Sequence, residues 1–371
     1  MTIVANIIDN FIDGEYQAPI NNNYLDNIEP ATGLVYGKIP NSDSVDVAHA
    51  VTAAERALPA WRALDIEQRA DYLTAIAQEI EHQLEPLALA EATDNGKPVA
   101  LARMVDIPRA ASNFKFFAHA CSQFSSESHA ISNTAINYTL RQPVGIVGCI
   151  SPWNLPLYLF TWKIAPALAA GNCVIAKPSE ITPQTAAMLG TICQKVGLPK
   201  GVLNILHGTG AGVGSSICNH PKVKAISFTG GSATGAAIAT QLAPKFKKLS
   251  LELGGKNPAL IFDDCDFENT VEEVFRASFA NQGQICLCAS RLYIQRGIYE
   301  KFKAALVERA KALVPQDPLI NETKMGAIVS KEHLTKILGY IDLAKQEGGT
   351  ILAGGEQVHL SGRCTQGYFL Q

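Results

Sequence analysis

The sequence predicts an α/β protein built on a parallel sheet, and three observations carry that expectation. Short β-branched runs alternate with alanine-rich amphipathic stretches through the middle of the chain. Gly or Pro punctuates the boundaries between them. The third is scale: 371 residues, 47% hydrophobic and 18% charged, allow about two domains and a sizeable core. Strands separated by helices imply a parallel sheet covered on both faces, with ligands at the carboxyl ends of its strands.

Residues 44–118 read as helices, because "SVDVAHAVTAAERALPAWRAL" and "IEQRADYLTAIAQEIEHQLEPLALAEAT" carry apolar residues at i, i+3 and i+4. "HAISNTAINYTLRQP" (129–143) alternates like a hairpin and would leave an exposed edge. Five strands are expected next: "VGIVGCI" (144–150), "NCVIAK" (172–177), "VLNIL" (202–206), "VKAISF" (223–228) and "KLSLEL" (248–253). The stretches "LYLFTWKIAPALAA", "PQTAAMLGTICQKVG", "GAGVGSSICNH" and "SATGAAIATQLA" between them have helical spacing. No internal repeat or low-complexity segment interrupts this order.

A net charge of -3, with no Lys/Arg run and no acidic tail, argues against nucleic acid and membrane surfaces as partners. The start, "MTIVANIIDNFIDGEYQAP", lacks a continuous apolar segment, so a cytoplasmic address is the default expectation. Nine scattered cysteines without metal-like double pairs read as reduced thiols, mostly buried, and no metal site is expected. Two glycine-rich turns, "HGTGAGVGS" and "FTGGSATG", suit close backbone approach and phosphate at a helix start. Neither matches G-x-G-x-x-G, and tight turns need glycine for structural reasons as often as for ligands.

Taken together, "SPWNLP", "AKPSE", "FTGG", "LELGGKNP" and "FANQGQICLCASR" occur in the order and at the spacing of the NAD(P)-dependent aldehyde dehydrogenase superfamily. The chain resembles that superfamily from about residue 7 to its last residue. Within it, "SPWNLPLYLFTWKIAPALAAGN" and "FANQGQICLCASRLYIQ" look closest to the branch that oxidises 2-aminomuconate and 2-hydroxymuconate semialdehydes. The resemblance implies an atypical Rossmann cofactor domain with a parallel sheet (1–124 and 142–253), an oligomerisation hairpin (125–141) and the front part of an α/β catalytic domain (254–371). A homo-oligomer, dimer or tetramer, is implied if the full C-terminal region is present.

By the same resemblance Cys286 is the nucleophile. A thiolate can add reversibly to an aldehyde, release a hydride from the adduct and leave a thioester open to hydrolysis. Cys288, two residues on, would point the same way if the segment were extended, and otherwise reads as a small buried hydrophobe. A two-cysteine metal site lacks a matching second pair. Glu252 closes an apolar strand, where a carboxylate is costly without a use, and the family's glutamate there is the general base; a surface-facing or helix-capping glutamate is the alternative. Asn154 matches the oxyanion donor and otherwise reads as a turn before Pro156. The cofactor implied is NAD, held around Trp153, Lys177, Glu180, Gly210, Gly214, Gly230, Gly231, Ser232, Gly235 and Leu253. A carboxylate at Glu180 would repel a 2′-phosphate; Ser179 and Glu180 could also cap a following helix.

Two departures stand out. "FTGG" replaces the "FTGS" of many members, and "GYFLQ" stops short of an "E-x-F-G-P" segment, which reads as a C-terminally truncated chain. The expected aldehyde carries carboxylate, so its pocket calls for a cation, and Arg109 in "DIPRAASNFKFF" is the candidate; a solvated arginine is the alternative. The residues also leave open a cysteine thioester hydrolase or a catalytically silent fragment that binds NAD.

Overall fold

The computed structural model describes residues 6–371. The first five residues of the expected cofactor domain lie outside the described residues. The centre is a seven-stranded sheet in the order Lys248–Leu253, Val223–Gly230, Ile146–Ile150, Cys173–Lys177, Leu203–Ile205, Asn10–Ile12, Glu15–Gln17. Its first five strands are mutually parallel and are the five expected ones. The last two are antiparallel additions from the N-terminus, paired through Ile205 and Phe11. Successive residues of a strand face opposite sides. Every residue of Ile146–Ile150 and of Cys173–Lys177 is buried, so both faces of the sheet are covered there.

The helices begin where local chemistry allows. Asp43 caps Ser44–Ala63 and Asp65 caps Ile66–His82, each in a reciprocal capping box with the third helical residue. The second apolar-striped stretch is two helices: a break at Gln83 separates Ile66–His82 from Leu84–Asn95. Leu73, Ile76, Phe114, Phe160 and Ile164 from these and the following helices join the sheet residues in one core. The helix Leu84–Asn95 stops at Gly96, whose φ of 84° only glycine adopts without strain.

The expected hairpin is present as Ser128–Ile131 paired with Ala135–Tyr138, exposed along its whole length. Beyond the large sheet, Asn257–Ile261 and Ala289–Ile294 form a parallel pair around a smaller core of Ile261, Val271, Val274 and Phe302. A separate N-terminal sheet, containing Tyr24–Glu29 and Leu34–Pro40, meets this later part of the chain, where Tyr368 N–H donates to Pro30 O at 3.0 Å. No helix among the described residues is long and apolar enough to cross a membrane.

One buried carboxyl ties the N-terminal sheet to the core. Asp94 accepts from Asn27 Nδ2 at 2.9 Å, from Gln184 N–H at 2.7 Å and from the Tyr36 hydroxyl. Burial pushes its pKa up to about 6, against those hydrogen bonds, which lower it. The folded chain therefore holds a proton there that the unfolded chain releases, and stability falls as pH rises through that range. Between about pH 4 and about pH 7 the wild type should lose up to about 3 kcal/mol relative to Asp94→Asn, read from paired denaturation curves. A difference that does not change with pH would contradict this.

Candidate active site

The polar run before Cys286 is polar because its side chains are used. The helix Phe267–Phe279 gives way to Asn281, Gln282 and Gly283, which all have positive φ (51°, 58° and 71°). Two non-glycine residues in that region are strained, so something must hold them. Asn281 Nδ2 donates to Asn154 O at 2.9 Å, and Gln282 Nε2 donates to Ala327 O at 2.7 Å. The chain then turns over residues 285–288, closed by Cys288 N–H to Ile285 O at 3.1 Å. The segment is thus a turn and not extended, and the two thiols differ in surroundings: Cys286 is half-buried and Cys288 buried. Asn257 Nδ2 holds the turn from below, donating to Cys286 O at 2.6 Å and to Cys288 O at 3.1 Å.

Asn154 reaches the residue just before this turn from beyond the carboxyl end of the Ile146–Ile150 strand. Its Nδ2 donates to Gln284 O at 2.9 Å, and the second N–H of that amide has no acceptor among the described residues. The backbone of this loop is clamped. Asn154 O accepts from Asn281 and from Lys97 Nζ (3.2 Å), while Trp153 O accepts from Asn95 Nδ2 at 2.8 Å. The Trp153 ring rests 4.7 Å from that of His333.

Glu252 corrects the desolvation argument made from sequence. Lys248–Leu253 is an edge strand with alternating exposure, and Glu252 lies on its exposed side. Its carboxylate therefore carries no burial cost here. Nearby, Lys163 is buried, with Nζ 3.3 Å from Ser227 Oγ. Burial lowers its pKa, while the fields of Cys149 and Glu252 oppose that shift. Lys163 is missing from the residues expected from sequence, although a lysine inside the apolar run "LYLFTWKIAPALAA" is a visible signal.

A cavity of about 1030 Å³ opens beside the carboxyl ends of the parallel strands, lined by Ile150, Glu180, Gly210, Gly214, Phe228 and Thr234 among others. Buried Lys177 backs the lining residue Glu180, donating to its Oε2 (2.9 Å), to Pro178 O (2.7 Å) and to Gly208 O (2.9 Å). Glu180 Oε1 also accepts from Gly210 N–H at 3.3 Å. The helix that follows starts at Gln184, with no side-chain cap, so Ser179 and Glu180 are not its caps. A Cβ on Gly210 or Gly231 would meet nothing within 4 Å, which leaves both backbones open to a ligand. Gly214 is in ordinary contact with Lys177, but a Cβ on Gly230 would lie 2.5 Å from Phe228 and one on Gly235 2.6 Å from Leu253. Those two glycines have packing reasons of their own. Exposed Ser232 opens the helix Ser232–Leu242 just after Gly231. An open glycine backbone, a helix start and a carboxylate–ammonium pair around one cavity fit a nucleotide cofactor.

Arg109 is exposed on the helix Ile107–Ser122, and its Nη2 donates to Tyr158 Oη at 3.0 Å. Its guanidinium carbon lies 5.1 Å from the centre of the Tyr158 ring.

The two thiols of the turn should differ in reactivity. Burial raises the Cys288 pKa, so that less thiolate is present as well as less access. Iodoacetamide at mildly alkaline pH should modify Cys286 about tenfold faster or more, followed by peptide mass spectrometry. Equal rates would contradict the turn geometry.

Residues 17–371 match the model of the aldehyde dehydrogenase family. The Mus musculus 2-aminomuconic semialdehyde dehydrogenase is 49% identical over 370 residues, covering 98% of this chain and 75% of the relative. The 2-hydroxymuconic semialdehyde dehydrogenase of Pseudomonas sp. (strain CF600) is 40% identical over 373 residues, covering 98% of this chain and 76% of the relative. Among solved structures, the NAD+ complex of aldehyde dehydrogenase from Bacillus cereus superposes with a TM-score of 0.95 at 36% identity, over 99% of this chain and 74% of that one. With its parallel sheet, its thiol-bearing turn and these likenesses, the chain belongs to the aldehyde dehydrogenase family.

Proposed function

We propose that the protein oxidises an aldehyde to a carboxylic acid with NAD through a thioester on Cys286, and that the aldehyde is a muconate-type semialdehyde carrying carboxylate. The observation that carries this reading is that the Asn154 amide is bonded to Gln284 O, two residues before the half-buried Cys286, where a clamped turn begins. Relatives named for 2-aminomuconic and 2-hydroxymuconic semialdehydes support the choice of substrate.

In this reading the Cys286 thiolate adds to the aldehyde carbon, and the free N–H of Asn154 donates to the oxygen as charge develops on it. NAD, when bound, supplies the acceptor for the hydride released from that carbon. The residues suited to hold it are Trp153, Lys177, Glu180, Gly210, Gly214, Gly230, Gly231, Ser232, Gly235 and Leu253. Glu180 would take the ribose hydroxyls and disfavour a 2′-phosphate by charge. Glu252 then takes a proton from the water that attacks the thioester, with its exposed position giving that water access. The thiolate leaves and the carboxylic acid is released.

Two further readings go with it. The exposed hairpin carries Ile131, Ile136 and Tyr138 outward, which suits an interface between copies of the chain. All nine cysteines are free, which suits the cytoplasm.

Arg109 tests the substrate. A charge-assisted contact to the substrate carboxylate is worth roughly 1.5 to 3 kcal/mol, or about ten- to a hundredfold in kcat/KM. Arg109→Ala should therefore raise KM for an acidic semialdehyde by about that factor and spare hexanal. Equal losses on both substrates, or none on either, would remove Arg109 from recognition. A wild-type enzyme with no preference for acidic aldehydes would overturn the muconate-type substrate.

A further inference from the structure

Behind the Trp153–Asn154 loop lies a cluster of charges that the proposed chemistry does not use. Lys97 and Glu91 are 0% exposed and Asp106 1%. Lys97 Nζ sits 2.7 Å from Asp106 Oδ2 and 3.8 Å from Glu91 Oε1. Its third neighbour is Asn154 O, to which it donates at 3.2 Å. Glu91 Oε2 is occupied elsewhere, by Thr185 Oγ1 at 2.8 Å and Leu157 N–H at 3.4 Å. Burial raises the pKa of both carboxyls, against the Lys97 charge, which lowers them.

Stability is a poor reason for this cluster. Burying each ion costs several kcal/mol, and apolar side chains of similar volume often hold a fold as well or better. What an apolar side chain cannot do is donate to the Asn154 carbonyl. The rest of the turn has the same direction. Asn95, one residue before Gly96, donates to Trp153 O, and Gly96 O accepts from Ala327 N–H at 2.8 Å and from Gln282 Nε2 at 3.4 Å. Three successive residues thus reach the two carbonyls of the Asn154 loop and the segment that leads into Cys286. A side chain at position 96 would meet Ala327 O and Pro30 Cβ at 3.0 Å, so the turn cannot move aside easily.

We infer that Lys97 is a positioning residue for the oxyanion site: its ammonium, anchored by Asp106, fixes the Asn154 carbonyl and so the direction of the Asn154 amide toward the Cys286 turn. The inference rests on the reading of Asn154 as the oxyanion donor. It differs from a packing role in one measurable way, because the effect of Lys97 must run through Asn154.

The test is a double-mutant cycle on the rate of the first-turnover NADH burst in the holoenzyme, with the NAD dissociation constant measured alongside. Lys97→Met should slow the burst by about tenfold or more and leave the NAD constant within about twofold. In an Asn154→Ala background the same substitution should cost less than about threefold more. Full additivity, an unchanged burst in Lys97→Met, or a parallel loss of NAD affinity would each overturn the inference while leaving the oxyanion reading intact. An unchanged burst in Asn154→Ala alone would overturn both. Should Lys97→Met not fold, Asp106→Asn removes the anchoring charge at nearly constant volume. It should slow the burst less, and again only when Asn154 is present; an equal loss without Asn154 would overturn the inference.

Discussion

The structure depends on how the two carbonyls of Trp153 and Asn154 are held at the end of the Ile146–Ile150 strand. A loop leaving a buried parallel strand must satisfy its polar groups without a neighbouring strand to pair with. Here side chains do it: Asn95 and Thr182 on Trp153 O, Lys97 and Asn281 on Asn154 O. The donors come from a helix end, the segment after a sheet strand and the residues before Cys286. Fixing one loop therefore fixes the relation between the large sheet and the thiol.

The arrangement concentrates strain and charge where the chemistry is proposed. Asn281 and Gln282, with left-handed backbones, are held by amide bonds to Asn154 O and Ala327 O. Lys97 sits in the interior with Asp106 Oδ2 at 2.7 Å and Glu91 Oε1 at 3.8 Å. The cavity proposed for the nucleotide is more open. Gly210 is exposed where it lines the cavity, and Gly231 and Ser232 are exposed at the start of the helix Ser232–Leu242, although Lys177 behind Glu180 is buried and fully bonded to Glu180, Pro178 and Gly208. Rigidity at the thiol and openness at the cofactor suit an enzyme that must align one atom but exchange a whole nucleotide.

Much of this was legible in the sequence. The five parallel strands announced themselves through β-branched runs with glycine or proline between them, and most plainly in Ile146–Ile150, Cys173–Lys177 and Leu203–Ile205, which are buried throughout and have no polar face to disguise them. Residues 279–291 stood out because "NQGQ" fits neither a helix nor a strand. The N-terminal strands Asn10–Ile12 and Glu15–Gln17 did not, since three-residue strands have too little periodicity and owe their existence to pairing with Leu203–Ile205. The exposure of Glu252 was hidden for a related reason: whether a strand lies at an edge is set by its distant partners. Lys97, Asn257 and Asn281 act on carbonyls 57, 29 and 127 positions away, and local sequence carries no trace of such bonds.

The central claim is that Cys286 carries the acyl group, and mass spectrometry of the trapped enzyme tests it most directly. The Glu252→Gln holoenzyme, given NAD and the semialdehyde and quenched in acid, should yield a Cys286 peptide heavier by the acyl group, with Cys288 unmodified. NADH formed without any adduct on Cys286, or an adduct on Cys288 instead, would contradict the account.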